Sequence, residues 1–176
     1  MELGLIHIYC GDGKGKTTAA MGLGMRAVGR DKKVILTQFL KDNETGELNS
    51  IEKLGGNFEV MKGIPVKKFF KFMSPEEQTA TRKEHEERFI SVTKRAIDEN
   101  FDLLILDEII ASTNLDLIQL DIVIEFLENK PKGLEVVLTG RNPHERLVEL
   151  ADYVSEIKAV KHPYEKGINS RVGIEK

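Results

Sequence analysis

The sequence lacks several features that mark other classes of protein. It contains one cysteine and no tryptophan, and a single cysteine cannot form an intrachain disulfide, which fits a reducing compartment. Its longest purely apolar runs, such as Leu103–Leu106, are far shorter than the ~18 residues that a membrane-spanning helix requires. The N-terminal residues have no basic flank and no small-residue cleavage site, so no signal peptide is expected. These absences predict a cytoplasmic protein without a membrane segment.

An excess of charge of one sign is also missing. The 26 Lys and Arg residues nearly balance the 29 Asp and Glu residues, which leaves a net charge of −3. A dedicated nucleic-acid binder usually has a basic excess, so this class is disfavoured. With 40% hydrophobic residues the chain is not expected to be disordered. Because no internal repeat or Pro/Gly/Ser linker divides it, we expect residues 1–176 to form a single domain.

Short apolar runs alternate with longer helical segments, which is typical of a parallel α/β sheet. We predict six strands, at Leu5–Tyr9, Val34–Leu40, Phe58–Met61, Leu103–Leu106, Val136–Thr139 and Tyr153–Ile157. Helices are predicted over Thr17–Val28, from Ser74 onward, over Leu115–Asn129 and over Pro143–Leu150. Ser-Pro-Glu-Glu at Ser74 supplies an N-cap for its helix. The polar half of that helix, Glu76–Arg88 with His85, is expected to face solvent.

The strongest motif is GDGKGKTT, residues Gly11–Thr18, between the first strand and the first helix. Glycines let successive backbone N–H groups surround phosphate oxygens, and the helix N-terminus adds partial positive charge. Lys16 supplies a point charge, and the Thr17 hydroxyl can reach a bound Mg²⁺. Cys10 stands where this motif usually has glycine, and Lys14 adds a second cation. The motif predicts a P-loop NTPase-like (RecA-like) α/β fold with a mostly parallel sheet of about six strands flanked by helices.

An acidic pair follows the apolar run Leu103–Leu106. Asp107 and Glu108 come where this strand leaves the sheet, and a carboxylate there can hold Mg²⁺ directly or through water, as hard oxygen ligands do. Together with the phosphate loop, the pair indicates a nucleoside triphosphate with Mg²⁺. It does not specify the reaction.

The motifs leave different functions open. Most phosphate-loop enzymes hydrolyse or transfer the terminal phosphoryl group, so an ATPase or a small-molecule kinase is the default expectation. The basic and aromatic segment Lys62–Phe72 would suit an ATP-dependent nucleic-acid-binding protein, with lysines on phosphates and phenylalanines under bases. A non-enzymatic nucleotide switch would bind without turnover. No histidine or cysteine has a persuasive catalytic setting, since Cys10 is expected to be a small buried residue and His162 a structural hydrogen-bonding residue.

The order of the motifs resembles one known family. The segments GDGKGKTTAAMGLGMRAVG, Val-Ile-Leu-Thr-Gln-Phe, LLILDEI, EVVLTGRNP, Ala-Asp-Tyr and KHPYEKGINSRVGIE follow one another along the chain. This series closely resembles the phosphate-loop ATP:corrinoid adenosyltransferases over Leu5–Glu175. The resemblance implies transfer of the 5′-deoxyadenosyl group of ATP to the Co(I) ion of cobalamin or a corrinoid precursor, with release of triphosphate. It also implies that ATP lies in the loop in reversed orientation. Such a displacement needs alignment and charge stabilisation rather than a general base.

The resemblance assigns roles to particular residues. It implies that Lys14, Lys16 and Arg141 are the catalytic cations that stabilise the departing triphosphate. It implies that Thr17 and Glu108 hold Mg²⁺, with Asp107 as the next choice. Lys41, together with Gln38 at the end of the second strand, is expected to face the mouth of the site. Contacts with ATP are implied for Gly11, Asp12, Gly13, Lys14, Gly15, Lys16, Thr17, Thr18, Arg26, Gln38 and Arg141.

The corrinoid side of the site departs from the family pattern. The family often has a Gly-Phe-x-Trp-like segment after the third strand, whereas this chain has KGIPVKKFFKFMSPEE. We predict that Val66–Met73 forms part of the corrinoid site through Phe69, Phe70 and Phe72, with Phe70 or Phe72 favoured. Many relatives have an N-terminal extension thought to close over the corrinoid, whereas this chain begins almost at its first strand. The resemblance further implies a homodimer and a reductase partner that supplies Co(I), with no nucleic-acid or membrane partner.

Overall fold

Six parallel strands form one sheet in the computed structural model, which describes residues 3–66 and 68–175. The strands are β1 (Ile6–Cys10), β2 (Val34–Gln38), β3 (Phe58–Val60), β4 (Leu103–Asp107), β5 (Glu135–Thr139) and β6 (Tyr153–Glu156). Their order is β3-β2-β4-β5-β1-β6, and every neighbouring pair is parallel. The predicted α/β fold is confirmed and is consistent with a P-loop NTPase-like arrangement. Because all strands are parallel, their carboxyl ends meet at one edge of the sheet.

Helices cover both faces of the sheet. They are α1 (Lys16–Val28), α2 (Gly46–Leu54), α3 (Pro75–Asp98), α4 (Ile109–Asn114), α5 (Leu120–Asn129) and α6 (Glu145–Leu150), with 3₁₀ turns at Phe70–Phe72 and Pro163–Lys166. The predicted helix Leu115–Asn129 is wrong at its start, because Asp116 has φ 53° and separates α4 from α5. Helices α2 and α4 were not predicted from the sequence. None of the described helices is long and apolar enough to cross a membrane.

The inner strands are apolar on both faces because both faces are buried. In β4, Leu104 and Leu106 pack with residues of α3 and α5, whereas Leu103 and Ile105 pack with residues of α1 and α2. Side chains of a strand alternate between the two faces, so the run Leu103–Leu106 supplies both cores at once. This double burial is the reason that the strands could be located from continuous apolar runs.

Helix α3 begins as predicted, but two residues of its polar segment are buried. Ser74 and Glu77 form a reciprocal capping box ahead of the helix. The prediction that Glu76–Arg88 faces solvent is wrong for His85, which is fully buried, and for Arg88, which is 6% exposed. The end of β2 and the segment after β3 cover this part of the helix, and both bring backbone groups that need polar partners.

Three α3 residues, Glu84, His85 and Arg88, form what we call the α3 anchor. Arg88 Nη1 donates to Gln38 O at 2.9 Å, and its guanidinium lies 4.8 Å from the Phe39 ring centre. Leu40 N donates to His85 Nε2 at 3.3 Å. His85 Nδ1 lies 2.8 Å from Glu84 Oε2, but the angles at this contact are not those of a hydrogen bond. The anchor therefore holds the carboxyl end of β2 in place.

The segment after β6 packs directly on the phosphate loop. Ile157 N donates to Cys10 O at 2.8 Å, and Gly13 N donates to Ile157 O at 2.8 Å. Gly11 has φ 104°, and a Cβ there would lie 2.3 Å from Ile157 O, so only glycine suits this close approach. The loop shape thus depends on a contact with the last part of the chain.

Candidate functional site

A polar cavity of about 680 Å³ opens at the carboxyl edge of the sheet, beside the N-terminus of α1. The structure brings predicted residues from four separate segments to its wall: the loop Asp12–Thr18, Lys41 after β2, Glu108 after β4, and Arg141 after β5. Other lining residues lie around the start of α2 and in the C-terminal segment. They are Thr45, Gly46, Glu47, Ser50, His162, Gly173, Ile174 and Glu175. Ligands of parallel α/β sheets bind at this edge.

The phosphate loop presents one buried cation to the cavity. Gly15 precedes α1 with φ 124°, a conformation that L residues rarely adopt. Lys16 is 9% exposed, and its Nζ donates to Gly13 O at 2.9 Å. Burial lowers the pKa of Lys16, and the charge of Glu108 partly offsets this effect. A phosphate in the cavity would give this ammonium a charged acceptor in place of a neutral carbonyl.

The Asp107 carboxylate is fully buried and lies at the centre of a hydrogen-bond network. Its Oδ1 accepts from Thr17 Oγ1 at 2.9 Å and from Thr139 Oγ1 at 2.7 Å. Its Oδ2 accepts from Gln38 Nε2 at 3.1 Å and lies 2.7 Å from Lys41 Nζ. Each carboxylate oxygen therefore already has two protein donors.

Glu108 is placed differently although it is the next residue. It has φ 60° at the start of α4, where its N donates to Thr139 Oγ1 at 2.9 Å. Burial and, secondly, the charge of Asp107 raise the pKa of the Glu108 carboxyl. Within residues 3–66 and 68–175, no side chain or backbone N–H donates to this carboxylate, which lines the cavity. Of the two adjacent acids, Glu108 is the one that has room for a cation.

The oxygen donors of this site fit Mg²⁺. No group of three His, Cys, Asp or Glu residues that could hold a metal ion occurs among the described residues. Mg²⁺ does not need such a cage, because it commonly binds one or two carboxylates together with substrate phosphates and water. The Thr17 hydroxyl and the Glu108 carboxylate supply hard oxygen donors beside a phosphate cavity.

Other predicted ATP contacts lie at the margin of the cavity or away from it. Arg141 lies at the rim, with its Nη2 3.5 Å from Asp12 O. Gln38 lies beneath the wall, where it bonds Asp107 as well as Thr45 and Glu47 of the α2 region. Arg26 is exposed in the last turn of α1, about 15 Å from Lys16 along the helix axis. The structure does not bring Arg26 to the cavity.

The phenylalanines of the predicted corrinoid segment lie on a short 3₁₀ turn rather than a strand. Phe69 is 78% exposed and Phe72 is 62% exposed, with ring centres 6.4 Å apart. Phe70 is partly buried, and the Arg82 guanidinium lies 5.1 Å from its ring centre. Lys67, in the same segment, lies outside the described residues.

Some residues at the site had weak signals in the sequence. Thr139 ends β5, and functional groups of parallel sheets gather at the carboxyl ends of the strands. This rule places Thr139 at the edge of the sheet where the site lies, although it does not place it beside Asp107. The spacing of Leu48 and Ile51 by three residues was the only helical signal of α2. The C-terminal lining residues lie within the KHPYEKGINSRVGIE segment, to which the resemblance assigned no contact with ATP. Two smaller expectations are confirmed: Cys10 is buried, and His162 Nδ1 accepts from Tyr164 N at 3.2 Å.

Known proteins resemble the chain over nearly its whole length. A family model described as ATP:corrinoid adenosyltransferase BtuR/CobO/CobP matches residues 2–175. A corrinoid adenosyltransferase of Escherichia coli is 37% identical over 179 residues, which span 99% of this chain and 86% of the relative. The corrinoid adenosyltransferase CobA of Salmonella typhimurium is 36% identical, with the same coverage. A corrinoid adenosyltransferase of Pseudomonas aeruginosa is 29% identical over 99% of this chain and 84% of the relative.

Proposed function

Because the chain belongs to the ATP:corrinoid adenosyltransferase family, we propose that it transfers the 5′-deoxyadenosyl group of ATP to the Co(I) ion of a corrinoid and releases triphosphate. The observation that carries the proposal is the cavity lined by Lys14 and Lys16 of the phosphate loop and by Arg141. A Co–C bond forms at the 5′-carbon while the C5′–O bond breaks, and the electrons of that bond leave with triphosphate. No side chain has to remove a proton.

The protein's task in this reaction is to align ATP and to stabilise charge on the leaving group. Donors that are fixed before the reaction need no reorganisation, and they act most strongly where water is excluded. Lys16 meets both conditions, because it is buried and its Nζ is held by Gly13 O. Lys14 and Arg141 are exposed at the rim and are expected to contribute less.

Thr17 and Glu108 are the residues proposed to hold Mg²⁺, which supplies positive charge to the triphosphate when bound. Asp107 is proposed to act behind them: it accepts from the Thr17 hydroxyl and so orients the threonine oxygen toward the cavity. Thr139 bonds both Asp107 and the Glu108 backbone, which fixes the two acidic residues relative to one another.

The proposal extends to the protein as a whole. One sheet with both faces covered supports a single domain over residues 1–176. By family membership we propose a cytoplasmic homodimer that receives Co(I) from a reductase partner.

The phosphate product tests the proposed reaction. With Mg·ATP and a chemically reduced corrinoid, triphosphate is expected to form in a one-to-one ratio with the adenosylated corrinoid, with little ATP consumed when the corrinoid is omitted. The reason is that the nucleophile is the corrinoid cobalt and not water. Anion-exchange separation of the phosphate products, together with the visible spectrum of the cobalt, measures both. Steady release of orthophosphate without corrinoid would instead identify an ordinary ATPase or kinase.

We propose that the exposed phenylalanines contact the corrinoid. An exposed aromatic pair such as Phe69 and Phe72 is unusual on a surface without a ligand or partner. Apolar rings against the corrin face would exclude water and the lower axial ligand from cobalt, which eases reduction of Co(II) to Co(I). The partly buried Phe70, held under Arg82, would support the turn that presents the other two.

Truncation of these rings separates corrinoid reduction from adenosyl transfer. Phe72→Ala is expected to lose activity with cob(II)alamin and a weak reductant at least about tenfold more than activity with prereduced cob(I)alamin, with unchanged ATP affinity. Phe69→Ala is assayed in parallel, and Ile90→Ala, an exposed apolar residue further along α3, is the control. Equal loss of both activities in the two phenylalanine variants, with a lower Tm, would show that the rings serve packing instead.

A further inference from the structure

Lys41 occupies an unusual position in the site. It follows Leu40, which has φ 57° and lies two residues after the end of β2. Its Nζ lies 2.7 Å from Asp107 Oδ2 and 3.3 Å from Thr17 Oγ1. The ammonium therefore lies between the hydroxyl and the buried carboxylate that stand beside the proposed Mg²⁺ position.

The ammonium weakens the binding of a divalent cation at this point as long as it stays there. Mg²⁺ binds its oxygen ligands at about 2.0–2.1 Å, so an ion on Thr17 Oγ1 would lie within a few ångströms of Lys41 Nζ. Two cations that close in a poorly solvated cavity repel one another strongly. Movement of the lysine side chain would therefore favour the metal ion.

The surroundings of Lys41 allow the side chain to move and keep its backbone in place. The α3 anchor holds residues 38–40, and Val66 N donates to Lys41 O at 2.9 Å. The side chain is partly exposed and lines the same cavity as Lys14 and Lys16. A lysine has a flexible four-carbon stem with a rotatable ammonium, so Nζ can turn from Asp107 toward the cavity by side-chain rotation alone.

We propose that Lys41 is an exchangeable cation: it neutralises Asp107 while the metal is absent and moves to the triphosphate when a divalent cation enters. The inference deepens the proposed function, since it rests on a triphosphate bound in this cavity. Lys41 then weakens the binding of free metal and strengthens the binding of triphosphate. The enzyme would accordingly take up metal and nucleotide together rather than metal alone.

Two binding measurements on the nucleotide-free protein test the exchange. Lys41→Met is expected to bind Mn²⁺ about tenfold more tightly than the wild type, and inorganic triphosphate without metal about tenfold more weakly. Mn²⁺ binding is followed by the paramagnetic resonance signal of the free ion, and triphosphate binding by calorimetry. Lys41→Arg keeps the charge and should stay near the wild type in the Mn²⁺ titration. Lys53→Met, on the exposed last turn of α2, controls for loss of one positive charge.

Each outcome bears on the proposal. Tighter Mn²⁺ binding together with weaker triphosphate binding in Lys41→Met confirms the exchange. If either affinity is unchanged, the exchange is wrong and Lys41 only forms a structural ion pair with Asp107. If Lys41→Met does not fold, Lys41→Gln, which is neutral and still donates to Asp107, decides the matter by the same titrations. Neither measurement involves a corrinoid. If the two affinities change in opposite directions but the protein does not adenosylate corrinoids, the exchange is still supported. Only the proposed reaction is then wrong.

Discussion

Lys16→Ala is expected to lower the rate constant of adenosyl transfer about 10²–10³-fold while the protein stays folded. Lys16 is the buried cation of the cavity, and its only protein acceptor among the described residues is the neutral carbonyl of Gly13. Its charge therefore acts on the leaving triphosphate in a setting where solvent screening is weak. Alanine is a good helix former at this first position of α1, and its introduction removes the cost of burying an ammonium.

Single-turnover formation of the adenosylated corrinoid, with saturating Mg·ATP, measures this loss. Lys14→Ala is the matched control, because Lys14 lies two residues earlier in the same loop but is exposed. Its rate should fall much less, since water screens an exposed charge. The role assigned to Lys16 is wrong if both variants lose the same factor, or if Lys16→Ala loses its activity together with its Tm.

Arg88→Ala is expected to lower the free energy of unfolding by about 3–5 kcal/mol. The substitution leaves the Glu84 carboxylate in the interior without its guanidinium partner, which lies 2.9 Å away. It also removes the donor to Gln38 O and exposes the Phe39 ring to a cavity. Since a domain is stable by only about 5–15 kcal/mol, this loss should be visible as a large shift in the denaturation midpoint.

Urea denaturation at several pH values checks both the size and the origin of the effect. Burial would raise the pKa of Glu84, but contact with His85 and the charge of Arg88 hold it below its usual value of 4.5. The lowered pKa means that the pair contributes stability above the pKa of the unfolded chain and loses it as pH falls through the folded pKa. The difference between wild type and Arg88→Ala should therefore be full near neutral pH and shrink in acid.

Arg95→Ala on the same helix serves as the control for Arg88→Ala. Arg95 pairs with Glu59 and Glu99, but the side chains of these partners are 40% and 45% exposed, and solvent-accessible ion pairs contribute only about 0–1 kcal/mol. If Arg95→Ala lowers the free energy of unfolding as much as Arg88→Ala does, loss of either arginine destabilises helix α3 to the same extent. The α3 anchor would then have no special role.

The strands and the phosphate loop could be predicted because their signals are local. A strand buried on both faces is a continuous apolar run, as in Leu103–Leu106, and each predicted strand lies within two residues of the observed bounds. The capping box at Ser74 depends on four consecutive positions and needs no tertiary context. Helix α2 escaped prediction because it is mostly polar and follows two positive-φ positions, Leu40 and Asn43.

The environment of the site could not be predicted, because it arises from the order of the strands. Asp107 meets Gln38 and Thr139 only because β2 and β5 flank β4 in the sheet. Burial of His85 depends on an irregular segment after β3 that has no periodic signal. The distinction between Asp107 and Glu108 is likewise invisible in the sequence, since one residue completes the strand and the other has a positive φ at the start of α4.

The hydrogen bonds between Ile157 and the phosphate loop set a time order for maturation during protein synthesis. Gly13 is made 144 residues before its backbone partner, Ile157. At about 5–20 residues per second, synthesis of the intervening chain takes roughly 7–30 s. Through that interval the loop lacks the contact that shapes it. The nascent protein therefore acquires its nucleotide site only after residue 157 has been made, so that ATP binding requires a chain that has grown at least that far.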